Sequence, residues 1–466
     1  MAREQTAAQK IEHSLRRFIN QREPGEQAPT VRELSERFKA SPVTVNRAFA
    51  VLVREGLLIT QIGSGTFIAA RSKAPSTPDL AWQTLALGAR DAALTLSAFS
   101  PPRPGVLPLG NGYFDIALQP TALLRQATLK ALSDPALWSR LPVEGREDLR
   151  AWFARDVGGE AHAQNVLLVP GGQAALSTTF RALVPAGSSM IVETPTYFGA
   201  IAAAKNAGIS LLPIPSDQDG IMLNHLEQTL RESNCRVIYL QPTFSNPTGV
   251  TLSPERRHKL IVLLVKAGAF VIEDDYARDL SMQGPPPAPL FRHGKGHVIY
   301  IRSLTKSAAA GLRVAGIIAF GPVLTRLRAA RAVDDFFLSG LLQSTAAELV
   351  SSKRWLGHVR SLGATLRERR DAAVSALQRY LPQVTLRCLP AGGFSLWLEL
   401  PSYVDEAAMI NEAERAGVQV TPGSIWFPGE PIGPYVRVSL AGASASILEE
   451  GILSLREAWR KSLRKP

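Results

Sequence analysis

Over the first seventy residues apolar positions recur at helical spacing, and beyond residue 160 they gather into short runs. Ile11, Leu15, Phe18 and Ile19 fall at i, i+4, i+7 and i+8, which predicts a helix with one buried face. Thr30, with Glu33 three positions on, forms a capping box and opens a second helix with Leu34 and Phe38 as its core residues. After Lys39-Ala40, Ser41 caps a third helix with Pro42 at its first position, where a missing N–H costs nothing. Val45, Ala48, Phe49, Leu52 and Val53 make its buried stripe, and Val43, Thr44, Asn46 and Arg47 face solvent. Leu57–Ile62 and Thr66–Ala69 around Gly63-Ser64-Gly65 predict a β-hairpin. Two helices across a tight turn, the second with a polar outer face, followed by a hairpin, is the plan of a winged helix-turn-helix.

The pattern breaks at Arg71-Ser-Lys-Ala-Pro-Ser-Thr-Pro78, whose composition suits a linker. A helix is expected within 80–99, and Ser100–Gly105 is irregular again. The long remainder alternates strands with helices. Val166–Val169, Met190–Glu193, Val237–Leu240, Phe270–Glu273, Val298–Ile301 and Val314–Phe320 are the expected strands. Such alternation predicts an α/β domain with a mostly parallel sheet and a ligand at the carboxyl ends of the strands. The expected boundaries are 1–72 for the DNA-binding domain, 73–104 for the linker and 105–466 for the large domain.

Charge agrees with a nucleic-acid partner. The net charge is +12, and residues 1–73 hold twelve Lys/Arg against seven Glu and no Asp. The charged first twenty residues do not look like a signal peptide, and no apolar run reaches the eighteen or so residues a bilayer requires. Cys235 and Cys388 lack metal spacing and are expected to be buried free thiols in a reducing cytoplasm; no metal is expected.

The runs Pro29–Ser35, Ser41–Ala48 and Glu55-Gly-Leu through Phe67 resemble the GntR-type winged helix-turn-helix. The resemblance implies that Arg32, Thr44 and Arg47 contact DNA, with the wing at Gly63 and Gly65 near the minor groove. Pro42 departs from the arginine that often follows the opening serine, so one familiar DNA contact is missing.

Five stretches of the large domain, each after a strand, supply what pyridoxal 5′-phosphate (PLP) needs. Lys306, past Val298–Ile301, is the candidate for the Schiff base, and Ser303 and Arg313 suit the phosphate. Asp274 is assigned to the pyridine nitrogen, with Asp275 as the alternative, and Tyr276 to O3′. Asn246 of Asn246-Pro-Thr-Gly249 offers an amide to O3′. Gly171, Gly172 and Gln173 open a helix whose N–H groups suit an anion. Tyr197 is placed to stack on the ring.

Together these stretches resemble the fold-type I, class I/II aminotransferases over roughly 105–460. The resemblance implies a smaller C-terminal α+β subdomain, a homodimer, and an amino-acid carboxylate held by Arg437 with Asn111 nearby. Arg140 stands where the family has a tyrosine that reaches the neighbouring subunit's phosphate. Both halves together resemble the MocR-type subfamily of GntR regulators. The expected function is therefore a cytoplasmic PLP-binding regulator of operator DNA, modulated by PLP or by an amino acid or amine that forms an imine at the site. An aminotransferase with an appended DNA-binding head, or a PLP domain kept as a dimerisation scaffold, are the alternatives.

Overall fold

The computed structural model describes residues 6–61, 64–70, 80, 82–83, 103–294 and 296–463. The chain divides into two compact units, 1–91 and 92–466. The linker expected over 73–104 and the helix expected within 80–99 fall almost wholly outside the described residues, as does Gly63.

The first unit is built as its pattern requires. Helices α1 (Ala7–Asn20), α2 (Val31–Phe38) and α3 (Pro42–Arg54) precede a hairpin of β1 (Leu58–Gln61) and β2 (Gly65–Ile68). Thr6 and Thr30 close capping boxes on α1 and α2, and Ser41 caps α3 through the Thr44 N–H. Lys39 takes the left-handed conformation that ends α2. Ile11, Leu15, Ile19, Leu34, Val45, Ala48, Phe49 and Leu52 form the core, closed by Leu58 and Ile68 of the hairpin. Phe18 and Phe38 pack at its edge. Val53 departs from expectation at 36% exposed, because it lies past the edge of the buried stripe.

The second unit opens with α4 (Thr121–Ala131) and α5 (Glu147–Val157). Its sheet contains β3 (Val166–Val169), β4 (Ser189–Thr194), β5 (Ser210–Asp217), β6 (Gly220–Ile221), β7 (Val237–Leu240), β8 (Phe270–Asp274), β9 (Val298–Ser303) and β10 (Ala315–Ile318), in the order β3-β10-β9-β8-β7-β4-β5-β6. Helices α6 (Gly172–Leu183), α7 (Phe198–Asn206), α8 (Leu223–Glu232) and α9 (Pro254–Ala267) lie between strands. The run from β9 to β5 is parallel, whereas β10 runs antiparallel to both β9 and β3, with Ala315 opposite Ser303. The sheet is thus mixed, and the expected Val314–Phe320 strand shortens to four residues. Two separate apolar clusters pack against it, as a sheet covered on both faces requires.

After α10 (Gly321–Asp334), α11 (Gly340–Ser351) and α12 (Trp355–Tyr380), the chain builds a second layer of structure. A four-stranded antiparallel sheet, β11 (Thr385–Leu386), β12 (Ser395–Glu399), β14 (Tyr435–Ser439) and β13 (Thr421–Pro422), packs with α12, α13 (Glu406–Arg415) and α14 (Ala445–Lys461) around its own core. This is the expected smaller C-terminal subdomain. Cys235 is buried and Cys388 only half-buried, so the expectation of two buried thiols holds for one. Among the described residues no helix is long and apolar enough to cross a membrane.

Candidate functional site

Strands β3, β4, β7, β8 and β9 end at one edge of the large sheet, and a cleft of about 470 Å³ opens there between the two sheets. Gly172, Gln173, Tyr197, Asn246, Asp274 and Tyr276 line it, together with Ser303, Lys306, Arg313, Asn111 and Arg437. Twelve expected large-domain positions thus converge here, Gly171 through its approach to Arg313.

Lys306 is the cation at the centre. Its Nζ donates to the Gly112 carbonyl at 2.6 Å and lies 3.9 Å from the centre of the Tyr113 ring. Burial, reinforced by Arg437 and Arg313, brings its pKa down to about 7. This brings the uncharged, nucleophilic form of the amine within reach near neutral pH.

Asp274 ends β8 and is buried. Tyr239 Oη and Gln241 Nε2 both donate to its Oδ2 at 2.8 Å. Desolvation raises its pKa to about 6, against the pull of these two donors. Asp275 points elsewhere: its Oδ2 accepts from Tyr300 and Arg278. Of the two aspartates, Asp274 is the one that lines the cleft.

The anion end lies where β3 meets α6. Gly171 has φ +93°, and a Cβ there would fall 2.6 Å from Arg313 Nη2. Only glycine lets the guanidinium close on this turn, where Arg313 Nη2 donates to the Pro170 carbonyl at 2.7 Å. The first N–H groups of α6 have no helical partners and could receive an anion there. Ser303 Oγ donates to Thr305 Oγ1 at 2.8 Å, so its proton is committed there, and the Thr305 hydroxyl also lines the cleft. Gln173 takes part through its backbone, because its side chain bridges Gly199 and Tyr197.

Two expected donors to O3′ differ. Asn246 Oδ1 accepts from Ser395 and Arg437, which leaves its NH₂ free to donate. Tyr276 Oη spends its proton on the Phe244 carbonyl at 2.7 Å, so its oxygen here can only accept.

Arg437 is 3% exposed, and among the described residues no carboxylate meets it. It donates to the Gly110 carbonyl at 2.6 Å and stacks 4.9 Å from Trp426, while its Nε has no partner. Burial lowers its pKa to about 10. Asn111 lines the cleft beside Gly110, its Oδ1 accepting from the Tyr113 N–H. Arg140 is exposed and does not line this chain's cleft. Sequence reasoning missed Tyr113, Tyr239, Gln241, Thr305 and Phe394. For Tyr239 and Gln241 a signal existed: they sit two apart at a strand end, on one face, beside the aspartate strand.

In the first unit Arg47 and Val43 are exposed and Thr44 is half-exposed on the outer face of α3. Arg32, 89% exposed, pairs with Glu36 at 3.1 Å. Gly65 has φ +113°, and a Cβ there would strike Gln27 Nε2, which donates to the Ser64 carbonyl across the wing turn.

Residues 106–455 match the family model for aminotransferase class I and II, and residues 7–68 match that for bacterial regulatory proteins of the gntR family. The chain is 28% identical over 442 residues to the uncharacterized HTH-type transcriptional regulator YdfD of Bacillus subtilis, covering 92% of this chain and 91% of that one. It is 27% identical over 449 residues to the probable rhizopine catabolism regulatory protein MocR of Rhizobium meliloti, covering 92% and 89%. The structure of LysN, the α-aminoadipate aminotransferase of Thermus thermophilus complexed with N-(5′-phosphopyridoxyl)-L-leucine, superposes with a TM-score of 0.73 at 28% identity, covering 77% of this chain and 92% of that one. The cofactor implied is PLP, and the cleft fits it: a buried amine, a buried carboxylate and a glycine-lined anion cradle stand at its wall. The chain belongs to the class I and II aminotransferase family, and its gntR-type winged helix-turn-helix gives it the domain order of the MocR-type regulators.

Proposed function

We propose that the protein is a transcription regulator that binds operator DNA through its winged head and whose DNA binding is set by PLP and by an amino acid or amine taken into the cleft. The observation that carries this reading is Arg437: a buried guanidinium without a carboxylate, in the same cleft as Lys306, on a chain with a DNA-binding head. An uncompensated buried charge is costly, and a ligand carboxylate is the partner that would relieve it.

Bound PLP supplies an aldehyde for amines and an electron-withdrawing ring. The protein's residues then divide the work. Lys306 Nζ, neutral or protonated with nearly equal ease near pH 7, holds or releases a proton beside Gly112 and Tyr113. Asp274, fixed by Tyr239 and Gln241, holds the pyridine nitrogen, and Arg313 with the start of α6 holds the phosphate. Arg437 orients a carboxylate. In the head, Thr44 and Arg47 on the outer face of α3 face the major groove, with Arg32 on the backbone and the wing at Gly63–Gly65 beside the minor groove. The working unit is a cytoplasmic homodimer, for which exposed Ile116, Leu129 and Trp138 offer apolar surface.

A ligand alters DNA binding only through a difference in its affinity for two states of the protein. The test measures affinity for the DNA upstream of the protein's own gene in three forms: cofactor-free, PLP-loaded, and PLP-loaded with an amino acid whose binding shows in the absorbance spectrum. Different affinities are expected. Equal affinities overturn the sensor reading, and no binding to any DNA overturns the regulator reading. A second reading, a working aminotransferase, is favoured by the near-neutral pKa of Lys306 and is tested by amino transfer to a 2-oxo acid.

A further inference from the structure

A second part of the cleft's lining, its outer wall, comes from α13 and the segments around β13, and has a different character. Ile410 and Glu414, one turn apart on α13 and so on one face of that helix, line it together with Gln419 and Ile425. Thr421 pairs with Arg437 across β13 and β14 and accepts from its Nη2 at 3.4 Å. Gln419 precedes Thr421 by two residues, roughly 7 Å of extended chain from the Arg437 rung. Its Oε1 is buried without a hydrogen-bond partner. Glu414 is exposed at this end, and among the described residues its carboxylate makes no ion pair and no hydrogen bond. The cations that line the cleft, Lys306, Arg313 and Arg437, lie within electrostatic reach of one another.

We propose that the outer wall selects an α-amino acid whose side chain has an apolar stem and ends in a cationic nitrogen, of about the length of lysine or ornithine. This rests on the reading of the inner cleft as an amino-acid site at Lys306 and Arg437. Ile410 and Ile425 cover the stem, Glu414 meets the terminal charge, and Gln419 Oε1 accepts one of its hydrogens. A side chain ending in a carboxylate would face Glu414 with like charge, and a wholly apolar one would leave Gln419 unpaired.

The experiment titrates the PLP-loaded full-length protein with L-lysine, L-norleucine and L-2-aminoadipate, all of six carbons, and with L-alanine. The absorbance of the cofactor gives half-saturation, and calorimetry repeats it independently. Lysine is expected to half-saturate at about one-fifth of the norleucine concentration, the size of one ion pair at the mouth of a cleft. Against 2-aminoadipate the expected gap is wider, about tenfold. Glu414→Gln, at an exposed position, should shrink the lysine preference over norleucine severalfold, and Glu414→Lys should favour 2-aminoadipate. Equal or better saturation by norleucine or 2-aminoadipate in the unmodified protein overturns the proposal, as does a lysine preference that survives Glu414→Lys. A spectrum unmoved by every amino acid, alanine included, overturns the underlying reading of the cleft and this inference with it. A response to alanine without a lysine preference overturns this inference alone.

Discussion

Arg47 stands in solvent on the outer face of α3, whereas Arg437 lies almost wholly buried on β14 between β12 and β13. Both are read as anion contacts, yet they are held in opposite ways. Water solvates Arg47 until a phosphate or base edge replaces it, so leaving it unpaired costs little. Arg437 has already lost its water, and carbonyls, hydroxyls and a Trp ring replace it only in part. The head therefore stores little energy in its site and gains by counterion release, with steep dependence on salt. The cleft holds two desolvated basic groups, Lys306 and Arg437, and a desolvated carboxylate, Asp274, in place before any ligand arrives, an arrangement suited to one orientation of a small molecule.

The largest effect expected is all-or-none. Borohydride should fix the cofactor on Lys306, and Lys306→Ala should abolish the adduct in the mass spectrum; an adduct on another lysine would displace the centre of the cleft. Next comes a pH effect confined to the buried side. In the cofactor-free protein Lys306 titrates near 7, against about 10.4 in the unfolded chain. Between these values the unfolded chain binds the extra proton, so stability should rise with pH from about 7 to 10 and be flat below, as far as this group contributes. Lys306→Met should remove that slope in denaturant titrations run at a series of pH values. Third, Arg437→Ala should cost a carboxylated amino acid about 2–3 kcal/mol, the value of charge-assisted hydrogen bonds, and leave the decarboxylated amine nearly unaffected. A calorimetric loss equal for both would make the arginine structural.

The exposed side should respond less. Arg47→Ala is expected to weaken operator binding by about 1–3 kcal/mol and to relax preference at one base pair, measured by fluorescence anisotropy on a set of point-changed operators. A uniform loss would assign it to phosphate instead. Smallest is Arg32→Ala. Its pair with Glu36 is exposed on both sides, so the melting curve should shift by less than about 0.5 kcal/mol. Only the salt dependence of DNA binding should fall, by about one unit of slope. A large destabilisation there would break the contrast between the two regions.

The two regions also differ in how far a linear reading reaches. In the head, caps, stripes and turn residues are local, and the Thr30–Glu33 capping box and the Ser41–Pro42 start form as their spacing demands, while the Thr6–Gln9 box on α1 went unread. Val53 departs because the buried stripe, packed against α1, α2 and the hairpin, is narrower than the run of apolar residues. In the large domain strands β3 and β7 keep their expected ends, since a strand buried on both faces is a closed apolar run. The reversal of β10 leaves no trace in its own composition, because every residue of it is buried whichever way it runs. Site residues that follow strands were legible. Tyr113 and Phe394, which flank Lys306 from far along the chain, were not, since only the closing of the small sheet over the large one brings them there. The committed protons of Tyr276 and Ser303 were hidden for a related reason: their acceptors, the Phe244 carbonyl and Thr305, are fixed by loop geometry.

The reversed strand has a consequence for what the cleft can measure. β9 and β10 are neighbours with Ser303 opposite Ala315, and Leu304 N–H bonds the Val314 carbonyl, so the chain between them is a closed loop anchored at both ends. Lys306 and Arg313 both belong to that loop, and Arg313 takes its left-handed turn at φ +50° where the loop rejoins the sheet. The amine and the guanidinium are in effect the two jaws of a gauge cut from one piece of backbone. The backbone ends of both side chains are thus tied to one hydrogen-bond register, while their tips are held from outside the loop by the Gly112 and Pro170 carbonyls. A molecule held by both groups would be gauged by the distance from its carbonyl carbon to its anion, and lengthening this loop by one residue would change the gauge while leaving every contact group in the chain.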